Sequence, residues 1–231
     1  MRKSWWKIAC VILLVYAVVG GLLLPVPALR QLEETIRNLY YHVCMWFAMM
    51  ILFTVSMVYS VRYLRTLDYR FDLYSRAFAV TGLVMGLLGY STGAIWASYT
   101  WADPNNPAYA SFGTIAREPK LIGAAIAILI YFAYFVLRSS ITDMDKRAKV
   151  GAVYNIFAYA MLFPSIWIVP RLLPSLHPGQ EGNPALNFND IDARMRIVFY
   201  PAVIGWTLLG VWISTLNIRI GMITEKKWLH E

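Results

Sequence analysis

Three histidines occur in the 231-residue chain: His42, His177 and His230. His42 stands in "NLYYHVCMWFAMMILF", at the threshold of a long apolar run, and His177 in the proline-bounded turn "LPSLHPGQ". His230 is the penultimate residue and reads as a solvated terminal side chain. An imidazole at the first two positions could anchor a helix, join a proton path or bind a metal. Zinc normally takes three or four protein ligands. The acids that could complete such a set, Asp103, Glu118, Glu181, Asp190 and Asp192, show no recognisable ligand spacing. Haem iron needs only two axial ligands, because the porphyrin fills the other four positions, and imidazole is a common one. Two histidines on one side of a membrane could therefore hold haem, or each could be a structural residue.

A haem at a membrane surface also asks for apolar walls and for cations to meet its propionates. Trp46 follows His42 by one helical turn, on the same face. Trp96, Tyr99, Trp101, Tyr109 and Phe112 cluster around a later loop, and Arg117, Lys120, Arg194 and Arg196 stand close to apolar runs. The same aromatics would equally serve as an interfacial anchoring belt, which is how Trp5, Trp6 and Trp228 read.

The elements that must position these groups are set by composition. Hydrophobic residues make up 59% of the chain and charged residues 15%, with a mean hydropathy of +0.52. A soluble domain carries about a quarter charged residues. Six runs contain no Asp, Glu, Lys or Arg: 8–24, 43–61, 77–96, 121–137, 151–170 and 197–218. Each approaches the roughly 20 residues that a helix needs to cross the hydrocarbon layer. A spanning segment must satisfy its own backbone hydrogen bonds, so the expected fold is all-α: a polytopic membrane protein with six transmembrane helices in a single domain. Asn155 and Asn217 are the notable polar residues within the spans and are expected to hydrogen-bond between helices.

Charge orients the bundle. The N-terminus, the 62–76 and 138–150 connections and the C-terminal tail hold 14 of the 21 Lys and Arg residues. The remaining connections, 25–42, 97–120 and 171–196, hold 7, balanced by as many acids. The positive-inside rule puts both termini in the cytoplasm and these three longer, proline-rich loops outside. His42 and His177 then share the outer side. The basic excess reflects topology and contact with anionic lipid, so no nucleic-acid partner is expected. Cys10 and Cys44 fall toward opposite ends of their spans, with most of a membrane thickness expected between them and no disulfide. No C-x-x-C-H occurs for covalent haem attachment, no P-loop for ATP, and no nucleophile–base grouping for an enzyme. No ionisable group of the kind used by ion-coupled transporters lies in a span.

The stretches "NLYYHVCMWFAMM", "STGAIWASYTW", "GAAIAILIYFAYFVLRSSI" and "LHPGQEGNPALNFNDIDARMRIVFYPAVIGW" together resemble the haem exporter protein C (CcmC) family of cytochrome c maturation. The likeness spans nearly the whole chain. It implies a haem-binding and haem-delivery protein of the bacterial cytoplasmic (inner) membrane, with non-covalent haem ligated by His42 and His177 on the periplasmic face. Trp46, Trp96, Trp101 and Phe112 would wall the porphyrin, and Arg117 or Lys120 would meet the propionates. The implied partners are a membrane-anchored haem chaperone and the ATP-binding-cassette (ABC transporter) subunits of the maturation system. The chain departs from the family where a tryptophan-rich block W-G-x-W-W-x-W-D-x-R is usual. Here it reads "FGTIAREPKLIG", with Glu118-Pro119-Lys120 in place of the acid-x-base core. The alternative is a b-type haem electron-transfer subunit, which would hold its histidines deep within the spans.

Overall fold

The structure, a computed structural model, describes residues 4–29, 32–101, 112–175, 177 and 191–228. Among these residues it is all helical. The helices are α1 (Trp5–Leu23), α2 (Leu39–Thr66), α3 (Tyr69–Thr100), the short α4 (Phe112–Ala116), α5 (Pro119–Ser140), α6 (Met144–Leu162) and α7 (Ala193–Trp228). All except α4 lie in segments long and apolar enough to cross a membrane, which makes six and a multi-pass membrane protein. A 3-10 turn, Glu33–Asn38, leads into α2.

The helices outrun the apolar runs that mark them. The expected charged connections 62–76 and 138–150 are mostly helix, because an aspartate restarts the chain at once on each occasion. Leu67 ends α2 in the left-handed region (φ 55°), and Asp68 then accepts a hydrogen bond from the Arg70 amide at 2.9 Å. Asp143 accepts likewise from the Lys146 amide at 2.7 Å. Each side-chain oxygen satisfies an amide that the first turn leaves open.

Helix α2 is the hub, packed on α3, α6 and α7, while α1 rests on α7 and α5 on α3 and α6. The α2–α3 contact is built on a glycine stripe. Phe53 faces Gly82, Met49 faces Gly86, Trp46 faces Gly89 and His42 faces Gly93. A Cβ on Gly82 or Gly86 would come within 2.7 Å of the opposing side chain, and one on Gly89 within 3.1 Å. The descending partner numbers make the pair antiparallel, and small residues let the two backbones approach closely.

Polar groups within the bundle find one another. The Asn155 amide nitrogen of α6 lies 2.8 Å from the Ser56 and Ser60 hydroxyls of α2 and 3.0 Å from that of Ser75 of α3, and its two hydrogens are shared among these three, so this expected interhelical bond is present. The Asn217 side chain makes none among the described residues. Near the far end, Arg138 of α5 grips Asp72 of α3 through two 2.7 Å hydrogen bonds. Gly151 of α6 leaves room for that guanidinium.

Two prolines reshape their helices. Pro201 inside α7 has no amide to offer the Ile197 carbonyl, and the Tyr16 hydroxyl of α1 donates to that oxygen at 3.2 Å instead. The expected span 151–170 is not one continuous α-helix. After Leu162 it widens into a π turn (Phe163–Ile168) holding Pro164 and tightens into a 3-10 turn (Val169–Arg171). The widened backbone presses the Ser165 carbonyl onto α5 at Gly123, where a Cβ would overlap it.

Both cysteines are free and buried. Their thiols point to the carbonyls of Gly205 and Phe199, six residues apart along α7, or roughly 9 Å of helix rise. The depth difference is therefore well short of the membrane thickness expected from the span limits.

Candidate functional site

His42 sits in the first turn of α2, and several ties fix where that turn begins. The Arg37 guanidinium donates to the Gly21 carbonyl at 2.6 Å and to the Leu24 carbonyl at 2.8 Å, closing the open C-terminal end of α1. Asn38 donates to the Thr92 carbonyl of α3 at 3.3 Å, and the Trp96 indole donates to the Thr35 hydroxyl at 3.1 Å. The loop ahead of α2 is thus anchored to both α1 and α3.

The His42 ring is 8% exposed and lies over Gly93. Its Nδ1 stands 2.8 Å from the Gly89 carbonyl oxygen. A carbonyl only accepts, so Nδ1 carries the proton and Nε2 presents its lone pair. Among the described residues no hydrogen bond engages Nε2. This is the tautomer and orientation in which an imidazole binds a metal, with a backbone carbonyl holding the other nitrogen. Trp46 and Trp96 meet the ring edge-on, at centroid distances of 6.3 and 6.1 Å.

His177 lies on the loop that follows the π and 3-10 turns, and the start of α5 holds it. Its amide donates to the Ser175 hydroxyl at 3.1 Å, and that hydroxyl donates to the Glu118 carboxylate. Lys120 Nζ reaches the His177 carbonyl at 3.4 Å. The start of α5 that holds the His177 loop is packed through Leu121 and Trp101 on the end of α3, the helix whose Gly89 and Gly93 hold His42. The two histidines, Trp46, Trp96 and Lys120 therefore gather at one end of the bundle.

The other expected site residues are placed differently. Trp101 is 8% exposed and buried with Ala97, Ile115 and Leu121, where it joins α3 to α4 and the start of α5. Arg117 is exposed beside that cluster. Tyr99 is 73% exposed, in the manner of an interfacial anchor. The Phe112 side chain, Tyr109, Asp103, Glu181, Asp190 and His230 fall outside the described residues. Arg194 is engaged by Asp192 at 3.0 Å, and its hydrogen bonds hold that carboxyl down to about 2. No three of His, Cys, Asp and Glu gather among the described residues in a way that could hold a metal.

Two contributors escaped the motif reading. Gly89 and Gly93 set the His42 ring, and their signal is "GLVMGLLGYSTG", in which glycines recur at intervals of four, three and four. Glu118, weighed as a metal-ligand acid and as part of an acid-x-base remnant, instead anchors the His177 loop through Ser175.

No family model matches the chain. Over 168 residues it is 26% identical to heme exporter protein C of Rhodobacter capsulatus, an alignment covering 69% of this chain. The chain spans 64% of that protein's length, less than two thirds. This is similarity to a heme exporter, carried by a region long enough to include most of the bundle.

Proposed function

We propose that this chain is a haem-handling protein of cytochrome c maturation, a member of the haem exporter protein C family. It holds haem non-covalently between His42 and His177 at the non-cytoplasmic end of the bundle and hands it to a membrane-anchored chaperone, working beside ATP-binding-cassette subunits. The observation that carries this reading is the His42 ring. Its Nδ1 proton is committed to the Gly89 carbonyl, its Nε2 lone pair is presented, and a second histidine lies at the same end of the bundle. The similarity to a heme exporter supports it.

In this reading haem is cargo and the chain transforms nothing. His42 and His177 would supply the imidazole nitrogens that hold the haem iron, and the protein's work is positioning. Gly89 orients one ligand, and Ser175, Glu118 and Lys120 hold the backbone of the other. Trp46 and Trp96 provide apolar edges against which a porphyrin packs. Lys120, which reaches the His177 carbonyl, and Arg117 just ahead of α5 are the cations proposed to meet the propionates. One candidate ligand sits on a helix and the other on a tethered loop.

Haem titration of the purified protein tests the site. The wild type is expected to give a low-spin bis-imidazole spectrum, with His42→Ala and His177→Ala each losing it. Unchanged spectra in both variants would overturn the assignment.

A further inference from the structure

At the end of the bundle opposite His42, the first turns of α3 and α6 and the last turn of α5 enclose a cleft of about 520 Å³. Three guanidiniums line it, from Arg76, Arg138 and Arg147, against the single carboxylate of Asp72. That carboxylate is taken: Asp72 is held bidentately by Arg138, and both are nearly buried, at 14% and 8% side-chain exposure. Arg76 and Arg147 form no ion pair or side-chain hydrogen bond among the described residues. The cleft therefore offers two unneutralised guanidiniums above a pre-formed, neutral floor.

Leu73, Phe135, Val136 and Met144 give the cleft an apolar side, and Tyr69 and Ser139 complete its lining. Val136 is 67% exposed and Met144 52%, so the apolar wall continues outward onto the lipid-facing flank. We infer that this cleft binds an anionic phospholipid, its phosphate between Arg76 and Arg147 and the upper part of an acyl chain along Phe135 and Val136. Guanidinium forks match phosphate oxygens geometrically, and basic pockets between helix ends suit lipid head groups. A free phosphate ion would use the arginines and leave the apolar wall without a role. The site is independent of the haem reading at the other end.

Native mass spectrometry of the intact, detergent-solubilised chain tests it, with phosphatidylglycerol, phosphatidylcholine and inorganic phosphate as probes. The wild type is expected to retain one phosphatidylglycerol in preference to phosphatidylcholine. Arg76→Gln with Arg147→Gln should weaken that retention about 30-fold, and each single change by about the square root of it. Arg76 is exposed and neither arginine braces the fold, so the variants should keep the wild-type elution profile; the single variants serve if the double one does not. Equal retention by wild type and variants, or of the two lipids, would overturn the inference. Displacement of the lipid by millimolar inorganic phosphate would also overturn it, assigning the cleft to the free ion.

Discussion

The ring of His42 occupies space that exists only because position 93 has no side chain. Gly93→Ala puts a Cβ into that ring and pushes Nδ1 off the Gly89 carbonyl. Losing such an outer partner costs a metal site about 10- to 100-fold in affinity. We expect that loss in a haem titration of Gly93→Ala, with the protein still inserted in the membrane. Gly86→Ala is the matched control, because it meets the flexible thioether of Met49, which can move aside. On the other ligand, Ser175→Ala removes the bridge between Glu118 and the His177 amide. Two hydrogen bonds go, one of them to a carboxylate, together worth about 2 kcal/mol, so affinity should fall by up to roughly 30-fold, read in the same titration. A variant that binds haem as the wild type does would show that the loop is held by other means.

Helices in a bilayer are held by close packing and polar contacts, since lipid supplies no hydrophobic drive between them. Two such contacts are prominent here. The Arg138–Asp72 pair locks α5 to α3 with side-chain exposures of 8% and 14%, so either charge left alone is largely buried without its partner. Asp72→Asn should cost about 3–5 kcal/mol, whereas Asp72→Leu with Arg138→Met should cost less than the sum of the single changes. Thermal unfolding in detergent reads both. The Asn155 knot ties α6 to α2 and α3 through three serines, and Asn155→Ala is expected to cost about 1 kcal/mol by the same measurement. A neutral Asn155→Ala would mean that the serines satisfy one another, as the 2.7 Å Ser60–Ser75 contact permits.

For the molecule as a whole, the excess of Lys and Arg at one end predicts which end faces the cytoplasm. In a background with Cys10 and Cys44 replaced, Tyr99→Cys should react with a membrane-impermeant maleimide in intact cells. Thr142→Cys should react only after permeabilisation; the reverse pattern would invert the bundle. Six spans were legible in the chain because the cost of burying charge in hydrocarbon is local: a run of 17 or more residues without Asp, Glu, Lys or Arg declares itself. The grouping of His42 with His177 was legible only as far as topology goes, since counting crossings assigns a side and not a distance. What surrounds the rings was hidden. Trp101 and Trp96 look alike in the chain, yet one is buried in packing against α4 and the other edges His42, because that choice depends on how α3 meets its neighbours. Nothing in the chain ties Glu118 and Lys120 to the His177 loop, because residues 175 and 177 lie 57 positions away and only folding brings them together. Burial of apolar length is a property of neighbouring residues and is written in order along the chain. The pose of an imidazole is a property of residues that meet across helices, and it exists only once Gly89 and Gly93 have let α2 and α3 close on each other.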